Sequence, residues 1–223
     1  MAYRVRRAPQ CPELKGIWDG PVWGSVEPIT IANFRPDSSD HRPFVQAKLL
    51  YDDEAIYGIY DVVDRYVRAV HTTYQSQVCR DSCVEFFVHP KQTKGYFNFE
   101  FSACGAFLVY YITDSTRLPD GELLESVELS EEDGRLVSVQ SSLPCPVDPE
   151  IEDETRWQLE FSIPFRLLEK YVGDLGDIEG QLWRANLYKC GDQTSHPHWA
   201  SWMPLPETNF HLPDYFGTLA FDR

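Results

Sequence analysis

The chain has 223 residues, 43% of them hydrophobic and 14% aromatic, enough apolar material for one substantial core. A formal net charge of -15 and a pI near 4.7 argue against nucleic acid or an anionic membrane as partner, since both recruit basic patches; a neutral ligand suits that field. No apolar run approaches a membrane span, and MAYRVRRAPQCPELKG has basic residues without the apolar stretch of a signal peptide. The expected setting is cytoplasmic as the sequence stands, and secreted if a leader has been trimmed.

Residues 1–44 read as an irregular segment, with prolines at 9, 12, 21, 28, 36 and 43 and one β-like run, Ile29 to Ile31. They are expected to pack on a single domain formed by 45–223. Trp18 and Trp23 flank a turn and are expected to plug one end of that domain, because large aromatics dominate buried area. VQAKLLY and AIYGIYDVVD read as strands around an acidic turn, Asp52, Asp53 and Glu54. Together with Asp61 and Asp64 these carboxylates could hold a structural calcium, although no EF-hand pattern is present and a solvated turn is the simpler reading.

Next come DSCVEFFVHP and YFNFEFSAC, a hairpin whose connection carries Pro90 and Gly95. Strand alternation puts Val84, Phe86 and Val88 with Phe97, Phe99 and Phe101 on the core side. The other side collects Cys83, Glu85, Phe87, Asn98 and Glu100, either a wetted outer face or a polar floor for a ligand. Ala106–Ile112 continues as a strand, Thr113–Asp133 reads as a long acidic excursion, and RLVSVQSSL as another strand. In RWQLEFSI, Trp157, Leu159, Phe161 and Ile163 point inward. FRLLEKYVG is a short helix entered at Pro164 and left at Gly173. QLWRANLYKC puts Arg184, Asn186 and Tyr188 on one face, and a long loop then carries Trp199, Trp202, Phe210 and Tyr215 to a closing strand, Phe216–Phe221.

The fold class expected is therefore all-β: an antiparallel β-sandwich, jelly-roll or immunoglobulin-like, with one short helix. The six cysteines are scattered without a CxxC pair and read as buried free thiols. No phosphate-loop, dinucleotide, nucleophile-elbow or zinc-helix motif occurs; His196 and His198 lack an evident third ligand. Aromatic rings beside carboxylates, amides and a guanidinium suit a sugar, whose C–H faces lie on rings while its hydroxyls need fixed donors and acceptors.

The succession KLLYDDEAIYGIYDVVD, DSCVEFFVHP, YFNFEFSACGAF, WQLEFSIPF, LWRANLYKC and NFHLPDYFGTLAF resembles carbohydrate-binding module family 9 and its DOMON-like relatives over roughly residues 45 to 221. The resemblance implies a β-sandwich that binds glucose-, cellobiose- or xylan-type sugars between two tryptophans, with structural calcium. It places the hydrogen-bonding Glu at Glu85 and one clamp aromatic at Phe210, where the family has Trp; the other clamp position falls near Tyr74 and Cys79. The expected site is Glu85, Asn98, Arg184, Asn186, Trp199, Trp202, Phe210 and Tyr74, binding a mono- or oligosaccharide without catalysis and requiring no cofactor. The alternative is a glycoside-hydrolase-type enzyme with Glu85 or Glu100 as acid or base and His198 nearby. A haem-binding relative would need an axial Met/His pair, and none is clear.

Overall fold

The computed structural model describes residues 2–222. Its strands, numbered in chain order, are β1 (Ala2–Arg7), β2 (Ile29–Thr30), β3 (Asn33–Phe34), β4 (Phe44–Tyr51), β5 (Ala55–Asp64), β6 (Val67–Ala69), β7 (Cys83–His89) and β8 (Tyr96–Ser102), then β9 (Phe107–Arg117), β10 (Leu123–Glu128), β11 (Ser138–Ser141), β12 (Val147–Ile151), β13 (Thr155–Pro164), β14 (Leu182–Cys190), β15 (Trp199–Ser201) and β16 (Gly217–Phe221). The helices are α1 (Glu131–Gly134) and α2 (Phe165–Val172).

One ladder runs β10-β9-β8-β7-β14-β16-β1-β4-β5-β13-β11, with β15 and β2 as side branches on β14 and β4 and β12 pairing β6 separately. β1 is the joint between its two halves. Ala2–Val5 run parallel to Thr218–Phe221, whereas Arg6 and Arg7 pair with Leu50 and Tyr51. The segment expected to be irregular thus opens with the strand that links the two sheets. Its sequence, AYRVRR, has too little apolar alternation to announce a strand, and its pairing comes from edges supplied by β16 and β4.

The core lies between the halves and is built by the predicted alternation. Phe86, Phe97, Phe99 and Phe101 are fully buried. Phe161 stacks on Phe101 (centroids 5.1 Å apart, planes 10° apart) and on Phe86 (5.6 Å). Gly58, the cross-strand partner of Phe161, makes room for that ring: a Cβ on Gly58 would sit 2.2 Å from it.

Trp18 and Trp23 close no end of the sandwich. They pack with Leu50, Tyr57 and Ile59 as a second apolar cluster on the outer face of β4–β5. The Lys48 ammonium lies 4.0 Å from the Trp18 ring centre and donates to the carbonyls of Trp18 and Trp23, while the Trp23 indole donates to Glu160 at 2.7 Å. Polar partners on the strand thus bind the loop to the sheet.

Other expectations change in detail. β9 extends to Arg117 and turns back as β10, so the acidic excursion is largely a hairpin. α1 is an additional short helix, its Ser130 cap accepting from the Asp133 amide. α2 spans the predicted residues, with Gly173 at φ 74° ending it. Cys104 and Cys145 are joined as a disulfide, leaving Cys11, Cys79, Cys83 and Cys190 as free thiols.

The carboxylates read as calcium donors do not form one oxygen cage. Asp52 caps its own turn through the Glu54 and Ala55 amides, Asp61 takes a two-pronged bond from Arg156, and Asp64 pairs with His41 and Lys189. β5 separates the first of these from the last by most of a strand, roughly 30 Å at 3.3 Å per residue. The calcium that the family resemblance implies has no fit in this set.

Candidate functional site

The cross-strand register sets the floor of a cavity of about 590 Å³. Glu85 on β7 lies directly opposite Glu100 on β8, with Phe87 opposite Asn98 one pair along. On the other flank of β7, Tyr188 on β14 faces Glu85 and Cys190 faces Cys83. Both glutamates are buried, at 2% and 7% exposure. The Asn98 amide donates to Glu100 Oε1 at 2.9 Å, and Cys190 Sγ donates to Glu85 Oε1 at 3.0 Å. Glu100 Oε2 is buried with no hydrogen-bond partner.

Burial, and then the charge of Glu100, hold the Glu85 carboxyl well above the usual range. Burial, and then Asp192, push Glu100 up to about 7. Asp192 is itself raised by burial, although the Trp199 indole donates to it at 2.6 Å. Like charges facing across adjacent strands are costly. Such groups are a frequent mark of a functional site rather than of a stabilising one.

Loops raise the walls. Residues 207–211 bring Glu207, Asn209, Phe210 and His211 to the cavity, the β9–β10 turn brings Arg117 and Gly121, and β15 with the turn after β3 brings Trp199 and Arg35. Phe210 stacks on Tyr188 (centroids 4.1 Å, 15°), and the Tyr188 hydroxyl donates to the Phe210 carbonyl at 2.9 Å. The Arg35 guanidinium lies 4.6 Å from the Trp199 ring centre and 5.9 Å from that of Phe210. His211, held down to about 3 by burial, meets the Tyr96 hydroxyl at 2.8 Å through Nδ1. Carboxylates, guanidinium groups and ring faces thus share one hollow, of a size ordinary for small-ligand sites.

Comparison with known proteins gives this arrangement a family. The model of carbohydrate-binding family 9 matches residues 24–221. The chain belongs to carbohydrate-binding family 9. No curated protein matches the sequence. Among solved structures, a candidate carbohydrate-binding protein of Bacteroides uniformis is 29% identical, with a TM-score of 0.85 and 99% of each chain covered. Two structures of a family 9 carbohydrate-binding module from Caldicellulosiruptor kristjanssonii are also similar. The one in complex with cellotriose is 14% identical (TM-score 0.60, covering 100% of this chain and 94% of that one). The one in complex with glucose is 15% identical (TM-score 0.58, 99% and 96%).

Of the residues expected from sequence, the family 9 chain brings Glu85, Trp199 and Phe210 to the cavity, and Asn98 stands behind Glu100 as its hydrogen-bond support. The others do not line the cavity. Arg184 donates to the carbonyls of Asp214 and Phe216. Asn186 is buried and ties β14 to Met203 through both amide atoms. Trp202 is a core residue packed over Gly217. Tyr74 packs edge-on to Phe107 and donates to the carbonyls of Leu129 and Ser130.

His198 does not line the cavity. It is fully buried, its Nε2 accepting from Lys189 at 2.7 Å and its Nδ1 facing the His196 carbonyl at 2.9 Å. Neither nitrogen is free for catalysis or metal binding. The cavity of this family 9 chain is also lined by Arg35, Arg117, Asp192, Glu207 and His211, which sequence reasoning missed. They sit on turns or, for Arg117, at the very end of β9, where no periodic signal marks the direction of a side chain. The one hint was Arg35 in NFRPD, a cation between an aromatic and a proline turn.

Proposed function

We propose that the cavity binds a mono- or oligosaccharide of the glucose or cello-oligosaccharide class without chemical turnover. The observation that carries this reading is the convergence of Glu85 and Glu100 with Arg35, Trp199 and Phe210 at one hollow. Buried carboxylates accept from sugar hydroxyls, Arg35 donates, and the rings of Trp199 and Phe210 offer apolar walls for the C–H faces. Membership of family 9 and the sugars bound by its similar structures support the same class of ligand. Non-catalytic binding is favoured because Glu85 and Glu100 rise from adjacent strands of one floor, so both approach a bound sugar from the same side. Glycoside hydrolysis uses carboxyl groups that flank the scissile bond.

Isothermal titration with glucose, cellobiose, xylobiose and uronic acids tests the proposal. Heat with at least one neutral sugar, lost in Glu85→Ala and in Trp199→Ala, is expected; silence across the whole panel overturns it. Aryl glycosides are expected to remain intact.

A further inference from the structure

The cavity floor holds two thiols that sugar binding leaves unused, on either side of a glutamate that it shares. Cys83 and Cys190 are directly opposite each other on the paired strands β7 and β14, and both are buried. Glu85 follows Cys83 by two residues and shares its face. One ligand atom from each of Cys83, Glu85 and Cys190 lies within 4.8 Å of the other two, and Cys190 Sγ is already 3.0 Å from Glu85 Oε1. Metal–ligand bonds of 2.0–2.3 Å in a tetrahedral zinc site imply ligand-to-ligand edges of roughly 3.3–3.8 Å. The trio therefore needs only side-chain adjustment on a rigid sheet to reach that size.

A second observation comes from the neighbouring strand. Glu100 stands directly across from Glu85, and its Oε2 is buried with no partner. Among the described residues, neither Glu85 nor Glu100 ion-pairs with a lysine or arginine. A buried acceptor without a donor calls for a bound species, and two facing carboxylates without a cation favour a positive one.

We propose that Cys83, Glu85 and Cys190 bind one zinc(II) ion in the floor of the cavity, with the fourth position open to the hollow. Glu100 Oε2 then accepts a hydrogen bond from the water or sugar hydroxyl that occupies this position. Thiolate ligands select zinc over calcium or magnesium, and three protein ligands with one exchangeable position is the pattern of an open zinc site. Binding forms two Zn–S bonds and one Zn–O bond and releases to solvent the two thiol protons, together with any proton carried by the Glu85 carboxyl. In the metal-free chain burial keeps these thiols neutral, with Cys83 pushed up to about 12; a dication alongside reverses that preference.

The test is anaerobic cobalt(II) titration of the full chain, stripped with a chelator and with the Cys104–Cys145 disulfide left intact. One equivalent is expected to give the thiolate-to-cobalt charge-transfer band and the strong visible bands of a tetrahedral site, bleached by zinc. Cys83→Ser and Cys190→Ser each remove the charge-transfer band, Glu85→Gln weakens binding by at least about tenfold, and Cys11→Ser, at an exposed thiol elsewhere, leaves it unchanged. Failure of the band to form, or its persistence in both serine variants, overturns the site. Should those variants not fold, X-ray absorption of the zinc-loaded natural chain decides: two sulfur neighbours support the assignment, and a shell of only oxygen and nitrogen contradicts it. The readout is spectroscopic, so the zinc site and the sugar reading can fail independently.

Discussion

Glu100→Gln separates binding from stability, because the two are expected to move in opposite directions. Glu100 Oε2 is a buried acceptor with no protein donor, opposite a second buried carboxylate. The substitution keeps Oε1, which accepts from Asn98. It replaces the orphaned oxygen by an NH₂ able to donate across the ladder to Glu85. An unsatisfied buried polar group costs about 1–3 kcal/mol, so a gain of about 1–2 kcal/mol is expected. That is a rise in Tm of roughly 2–8 °C at 2–4 °C per kcal/mol for a chain of this length. Above pH 7, where Glu100 is mostly ionised, a sugar loses one hydrogen bond to a charged acceptor, worth about 1.5–3 kcal/mol, which weakens binding roughly 10- to 150-fold. Thermal unfolding in chelator and calorimetric titration of the same preparation measure both effects. A variant that melts lower and binds sugar as the natural chain does refutes the assignment of Glu100 to the ligand.

Gly58→Ala drives a methyl group into the Phe161 ring, which Phe86 and Phe101 hold in place; a loss of about 1–3 kcal/mol by denaturant unfolding is expected. Acid lability should follow from His198, which faces Lys189, Asp64, His41 and the His196 carbonyl. Burial, and then Lys189, hold its pKa down to about 3. The unfolded chain takes up this proton below about 6.5 while the fold refuses it until about 3, so stability is full above that window and falls as pH drops through it. The loss reaches about 4–5 kcal/mol at 1.36 kcal/mol per pH unit. His198→Gln, which keeps an acceptor for Lys189, is expected to flatten stability between pH 6.5 and 3. Trp199→Ala removes one wall and the indole donor to Asp192; it is expected to lower sugar affinity by at least tenfold, about 1.4 kcal/mol, with little change in Tm, since the ring is only half-buried.

Period-two alternation made the centre of the fold legible. The rows Phe86/Phe99/Phe101 and Glu85/Asn98/Glu100 could be placed on opposite faces from sequence because a strand permits no other arrangement, and the register bears this out. The helix at Phe165–Val172 was legible for the same kind of reason, a proline entry and a glycine exit. β1 was not, since a charged hexapeptide becomes a strand only when two sheet edges come to it. The floor of the cavity was half readable: Glu85 and Asn98 announced a polar face, but Arg184 and Asn186 were assigned to the ligand from their row alone. Both satisfy nearby backbone carbonyls instead, as interior polar groups commonly do. The walls depend on the conformations of loops, and Arg35 and Asp192, on turns, and Arg117, at the end of β9, reach the hollow from three separate places whose meeting no local pattern encodes.

The most direct test of the central claim is a crystal structure of the full chain soaked with cellobiose. The account predicts a sugar ring in the cavity, with hydroxyls within hydrogen-bond distance of Glu85 and Glu100 and its faces toward Trp199 or Phe210. Sugar bound elsewhere, or a hollow holding only water at saturating cellobiose and glucose, would contradict it.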